Sequence, residues 1–165
     1  MLKIVITGPE SSGKTTLCEA LSNHFKIPYS KEYAREYLQK LNCNYNQDDL
    51  TRIAKGQLKL NKHHRILDTD LITIKIWSNY KYNSCNQWIL EHIEKQKSEK
   101  RFYLLCKPDI AWMQDSLREN PENRMALFQI YKKELENLNH DYYIVKGEKR
   151  TENAISKILA QKCFI

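Results

Sequence analysis

Glycine and proline are scarce in this 165-residue chain, which holds four of each. That scarcity excludes collagen-like, linker-rich and short-strand repeat architectures, and it makes the place of each glycine informative. Cysteine is present but without pattern. Cys18, Cys43, Cys85, Cys106 and Cys163 form no C-x-x-C pair and have no metal-like spacing to histidine, so reduced thiols in the cytoplasm are expected. His63-His64 and the isolated His24, His92 and His140 give no ligand spacing either. No apolar stretch has signal-peptide flanks, and none approaches the roughly 20 residues needed to cross a bilayer. Neither secretion nor a membrane partner is expected.

What is present suits one globular domain over residues 1–165. The chain is 41% hydrophobic and 28% charged, so it has apolar surface enough to offset the entropy of ordering, and it is too short for two ordinary domains. Its 27 Lys and Arg against 20 Asp and Glu leave a formal charge of +7, which suits an anionic partner such as a nucleotide or a nucleic acid.

Leu2, Ile4, Val5 and Ile6 read as a strand buried on both faces, ending at Thr7-Gly8. From Lys14 onward, Leu17, Cys18, Leu21 and Phe25 recur at helical spacing. Ile27-Pro28-Tyr29 reads as a second strand, Arg65 to Asp68 as a third, Phe102 to Cys106 as a fourth and Tyr142 to Val145 as a fifth. Helical patterns lie between them: Tyr33 to Leu41, a longer one capped by Asn46, Leu71 to Trp77, Trp88 to Ile93, and Met125, Phe128, Tyr131 and Leu135. A last helix begins near Thr151. The alternation predicts an α/β fold with a five-stranded parallel sheet, helices on both faces and ligands at the carboxyl ends of the strands.

Between the first strand and the first helix, Gly8-Pro9-Glu10-Ser11-Ser12-Gly13-Lys14-Thr15 matches G-x-x-x-x-G-K-[ST], the P-loop of NTPases. The glycines let backbone N–H groups curl round phosphates, and the helix N-terminus adds positive potential. Lys14 is expected on the β- and γ-phosphates of ATP, and the Thr15 hydroxyl on Mg²⁺. Three carboxylates at other strand ends carry the rest of the chemistry. Asp68 is placed to hold Mg²⁺, directly or through water, and Glu32 to take a proton from an acceptor hydroxyl, with Asp70, two residues after Asp68, the other candidate base. Arg118 and Arg124 bracket a polar stretch placed to close over the phosphates and stabilise transferring charge, and the loop from Lys146 to Arg150 to flank the adenine. Tyr33, Tyr37, Trp77 and Tyr80 supply flat rings for stacking on a base.

The P-loop with its Glu-Ser-Ser interior, the Glu32-Tyr33-Ala34-Arg35-Glu36-Tyr37 segment and Asp68-Thr69-Asp70 together resemble the ribosylnicotinamide kinase domain of the NadR family, P-loop kinases also described as AAA-like ATPases. The resemblance implies transfer of the γ-phosphoryl group of ATP to the 5′-hydroxyl of nicotinamide riboside, with Glu32, Tyr33, Arg35, Asp70 and Trp77 at the acceptor. A cationic nicotinamide ring suits a pocket of carboxylates and aromatics. NadR proteins commonly carry an adenylyltransferase domain ahead of this one, whereas here strand one opens the chain. A kinase for another nucleoside would share the phosphate-handling residues. A P-loop ATPase acting on nucleic acid is the alternative from another class; the +7 charge suggests it, and the lack of an aromatic-basic RNA-binding signature argues against it.

Overall fold

The computed structural model describes residues 1–42, 44–161 and 164. Cys43 and Cys163, two of the thiols expected to be reduced, lie outside the described residues; Cys18, Cys85 and Cys106 are free.

Five strands form one parallel sheet in the order β2-β3-β1-β4-β5. They are β1 (Lys3–Thr7), β2 (Tyr29–Ser30), β3 (Ile66–Asp68), β4 (Arg101–Cys106) and β5 (Asp141–Val145). Among the described residues seven helices connect or follow them: α1 (Lys14–Phe25), α2 (Tyr33–Lys40), α3 (Gln47–Asn61), α4 (Leu71–Tyr82), α5 (Gln87–Gln96), α6 (Arg124–Asn137) and α7 (Arg150–Leu159). The main departures from the pattern reading are at element ends. Leu71 to Trp77 is one part of a longer helix, and the second strand starts only after Pro28, whose missing N–H cannot join the ladder. Met125, expected on the apolar face of α6, is 46% exposed, and Leu127 takes the buried place beside Phe128, Tyr131 and Leu135.

Two cores explain why the strands read as unbroken apolar runs. Val5, Leu67, Tyr103 and Leu105 point to the face covered by α2, α3, α4, α5 and α6, whereas Ile4, Ile6, Ile66, Leu104 and Cys106 point to the face covered by α1 and α7. The two-residue side-chain period of a strand places neighbours in opposite cores, so both must be apolar. Asn46 caps α3 with a full capping box, its side chain accepting from Asp48 N and Asp49 N while Asp49 returns a bond to its backbone N–H.

β1 lies in the middle, flanked by β3 and β4, and Ile6 is in register with Asp68. The order reverses at β1, so the loops after β1, β2 and β3 open beside one another at one edge of the sheet.

Candidate active site

The P-loop is shaped by local geometry. Gly8 has φ +133°, and a Cβ there would lie 2.6 Å from the Cys106 carbonyl oxygen, so the loop can cross β4 only without a side chain. Gly13 has φ +82° and forms the left-handed entry to α1. The Ser12 hydroxyl donates to the Pro9 carbonyl at 2.7 Å, and the Lys14 ammonium donates to the same oxygen at 2.9 Å. The lysine therefore folds back across the mouth of the loop.

Behind it, the Thr15 hydroxyl donates to Asp68 Oδ2 at 2.7 Å. The other oxygen, Oδ1, is buried and without a partner among the described residues. Burial raises the Asp68 carboxyl to about 6, the charge of Glu32 adds to that rise, and Lys14 opposes it. This donor set fits a magnesium ion: a hydroxyl beside a carboxylate whose second oxygen is buried without a counter-charge among the described residues. The shift has a consequence for stability. Between the ordinary aspartate range and about 6 the folded state holds a proton that the unfolded chain has lost, so the metal-free protein loses stability as pH rises through that window. Asp68→Asn removes the titration, and the variant should gain on the order of 1–3 kcal/mol over the parent at pH 7 but little at pH 4. Metal-free denaturant unfolding at both pH values checks this; an equal difference at the two would refute it. The same variant should need more Mg²⁺ for half-maximal turnover.

Glu32 precedes α2 but takes no hydrogen bond from that helix's N-terminal N–H groups. It faces a cavity of about 210 Å³ shared with the whole P-loop, Arg35, Trp77, Tyr80, Thr73, Arg118 and Tyr131. Thr73, from the first turn of α4, meets the Thr7 hydroxyl at 3.1 Å and ties α4 to the end of β1.

The segment 107–123 lies over this cavity and is fastened on both sides. On the P-loop side, Met113 N donates to the Ser11 hydroxyl at 3.0 Å, and Glu119 N and Asn120 N donate to the Glu10 carboxylate at 3.0 and 2.9 Å. Arg124 donates to the carbonyls of Ser11 and Ile110, both at 3.0 Å, and Arg118 to that of Met113. On the acceptor side Arg35 pairs with Asp115 at 2.7 Å. The Leu117 N–H and the Arg35 guanidinium hold the Asp115 carboxyl below the ordinary range.

A family model described as "AAA domain" matches residues 3–151. The chain belongs to this AAA-domain family. No curated protein sequence matches it. Among solved structures, this AAA domain is similar to a NadR protein in complex with NR, at 23% identity and TM-score 0.72, covering 96% of this chain and 51% of that one. A second NadR structure, in complex with NAD and AMP-PNP, gives 24% identity and TM-score 0.73, covering 96% and 49%. The chain thus spans about half the length of the NadR chains it matches. Deoxyadenosine kinase from M. mycoides aligns at 16% identity and TM-score 0.67, over 98% of this chain and 100% of that one. These likenesses establish the P-loop kinase fold.

The AAA domain brings most of the expected residues together. The loop residues from Gly8 to Thr15 line the cavity with Glu32, Arg35, Trp77 and Arg118, Asp68 stands behind Thr15, and Arg124 grips the loop from outside. Arg150 lies under the loop rather than in its mouth. It donates to the carbonyls of Lys107 and Val145, and its Nη1 is 3.4 Å from where a Gly13 Cβ would be.

Two acceptor-site expectations are corrected. Tyr33 turns away: its ring packs so closely on α3 that a Cβ at Gly56 would lie 2.2 Å from it, while its backbone N–H donates to Gln57. Asp70 is fully buried, receiving Arg101 and Tyr103, each at 2.7 Å, and the N–H of Ile72 at 3.0 Å. Thr69, at φ +72°, turns the chain so that Asp68 and Asp70 point to different places. Asp70 therefore anchors α4 and has no free oxygen for a substrate. Asp70→Ala would leave the buried Arg101 with Glu99 as its remaining carboxylate, at 2.9 Å, and would strip the Tyr103 hydroxyl and the Ile72 N–H of their acceptor, so a loss of about 1–3 kcal/mol in unfolding free energy is expected. A loss below about 1 kcal/mol would contradict that role.

Thr73 and Tyr45 had no signal in the sequence, and Asp115 none for its pairing with Arg35, since each acts on a partner more than 30 residues away.

Proposed function

We propose that this AAA domain is an ATP-dependent nucleoside kinase that phosphorylates the 5′-hydroxyl of nicotinamide riboside to the mononucleotide, acting in the cytoplasm. The observation that carries the reading is one cavity lined together by a P-loop lysine, a carboxylate with no side-chain partner among the described residues, and an indole: Lys14, Glu32 and Trp77. A P-loop alone serves any nucleoside triphosphate; the second half of the cavity argues for an acceptor that is flat and cationic.

Each residue has a role that its position supports. The N–H groups of the loop from Gly8 to Gly13 and the start of α1 cradle the phosphates of ATP, with Lys14 on the β- and γ-oxygens. Thr15 and Asp68 hold Mg²⁺, which when bound neutralises charge developing between those phosphates. Glu32 accepts the proton of the attacking hydroxyl. Arg118, on the segment over the cavity, offsets charge on the transferring group, and Arg124 fixes that segment to the loop. Arg35 and Trp77 form the acceptor wall, with Tyr80 beside them as a second ring.

The test is turnover of ATP by the purified chain with nicotinamide riboside and with a panel of purine, pyrimidine and deoxynucleosides, with products identified by mass. Nicotinamide riboside should lead the panel in kcat/KM by about tenfold or more. A deoxynucleoside in that place would move the acceptor while keeping the kinase. ATP hydrolysis stimulated by oligonucleotides and by no nucleoside would overturn both.

A further inference from the structure

Trp77 is held by a group outside the cavity. Tyr45, in the short link between α2 and α3, places its hydroxyl where α4 and the 107–123 segment meet. The oxygen accepts from the Trp77 indole N–H at 3.1 Å and from the Lys81 ammonium at 2.7 Å, and the hydroxyl donates to the Glu119 carboxylate at 3.0 Å. Lys81 also pairs with Glu119 at 3.0 Å and lies 4.0 Å from the Tyr45 ring centre. The Tyr45 and Trp77 rings meet edge to face at 5.2 Å. Burial pushes the Tyr45 hydroxyl up to about 12, so the neutral donor form persists at neutral pH.

Glu119 joins this cluster to the phosphate site. Its side chain takes Tyr45 and Lys81, and its own backbone N–H donates to Glu10 inside the P-loop. The path from the nucleotide loop to the acceptor wall is thus four residues long: Glu10, Glu119, Tyr45, Trp77. We infer that Tyr45 is a positioning residue for the acceptor, setting the Trp77 indole through its hydroxyl and, through Glu119 and Glu10, making the pose of that indole depend on whether the P-loop holds nucleotide. The inference rests on Trp77 lining the acceptor pocket.

The two ends of the path impose different demands. An indole with its N–H pinned loses rotational freedom before any ligand arrives, so a ring stacked on it costs less entropy to hold. Movement of the Glu10 carboxylate on nucleotide binding must be answered at Glu119, because both the Glu119 and Asn120 N–H groups point at it. Glu119 can answer only by shifting the Tyr45 and Lys81 contacts.

The chain holds three tryptophans, so full-length protein labelled with 5-fluorotryptophan should give three fluorine resonances, the one from residue 77 being that lost in Trp77→Phe. A non-hydrolysable ATP analogue with Mg²⁺, added without acceptor, should move the residue 77 resonance in the parent protein. In Tyr45→Phe that response should vanish. Glu119→Ala should behave alike, with Glu119→Gln restoring most of the response because its amide still bonds to Tyr45. In turnover, Tyr45→Phe should raise the acceptor KM about tenfold with kcat and ATP KM within about twofold, the size expected for the lost hydrogen bond to the indole, the part-buried one of the three that the hydroxyl makes. A residue 77 resonance that responds equally in the parent, Tyr45→Phe and Glu119→Ala would overturn the inference. A parallel fall in thermal stability, kcat and both KM values would overturn it too, by reducing Tyr45 to a structural role. The fluorine readout needs no acceptor, so it decides the coupling even if nicotinamide riboside proves not to be the substrate.

Discussion

Lys14→Ala should lower phosphoryl transfer by about 10³-fold or more, since a cation held on the transferring group is worth roughly 10³–10⁵ in related chemistry. The geometry explains why nothing nearby can replace it. Lys14 is the P-loop's own ammonium, 2.9 Å from the Pro9 carbonyl at the mouth of the loop, whereas Arg118 approaches the cavity from the covering segment and Arg124 holds the loop from outside. The fold should survive, because the loop is built by Gly8, Gly13 and the Ser12 bond to Pro9, none of which needs the lysine. Steady-state turnover and a thermal unfolding curve on the same preparation check both halves. Near-parental turnover would remove the P-loop from the chemistry; a collapse in unfolding temperature would make the rate uninformative.

Glu32→Gln should cost the acceptor step about 10²–10⁴-fold while ATP binding stays close to the parent value. Glutamine keeps the reach of the side chain and removes the charge to which the proposed mechanism assigns the proton. Two features single out Glu32. It faces the cavity without capping α2, and the other candidate, Asp70, spends its oxygens on Arg101, Tyr103 and Ile72. Because Glu32 helps to hold the Asp68 carboxyl up, the same substitution should also lower the pH at which Asp68 titrates, and so ease metal binding. Single-turnover measurements with nicotinamide riboside, set beside nucleotide affinity, separate the two effects. A variant whose ATP affinity falls while the acceptor step is preserved would assign Glu32 to the metal instead.

The phosphate half of the site was legible in the sequence because its parts are contiguous. Eight successive residues, a strand before them and a helix after them specify a loop whose backbone makes the site, and the structure builds it there. Asp68 was legible for a related reason: an apolar strand that ends in a carboxylate puts it at the ligand edge of a parallel sheet, and the pairing of β1 with β3 brings it to Thr15. Period and composition carry that information, since each side chain's burial follows from its own strand or helix.

The acceptor half was decided by tertiary structure. Tyr33 and Trp77 look equally suited to a base in one dimension, yet Tyr33 fills the space above Gly56 and Trp77 faces the cavity. Asp68 and Asp70 are two residues apart, and the left-handed turn at Thr69 sends one to the P-loop and the other to Arg101 in the core. Arg35 meets Asp115 and Tyr45 meets Glu119 across 80 and 74 residues of chain. By itself the sequence determined the sheet, the two-sided core and the phosphate loop, which depend on local period and contiguous motifs. Which carboxylate stays free and which ring lines the cavity depend on long-range partners that compete for the same polar atoms, and only the packed structure settles that competition.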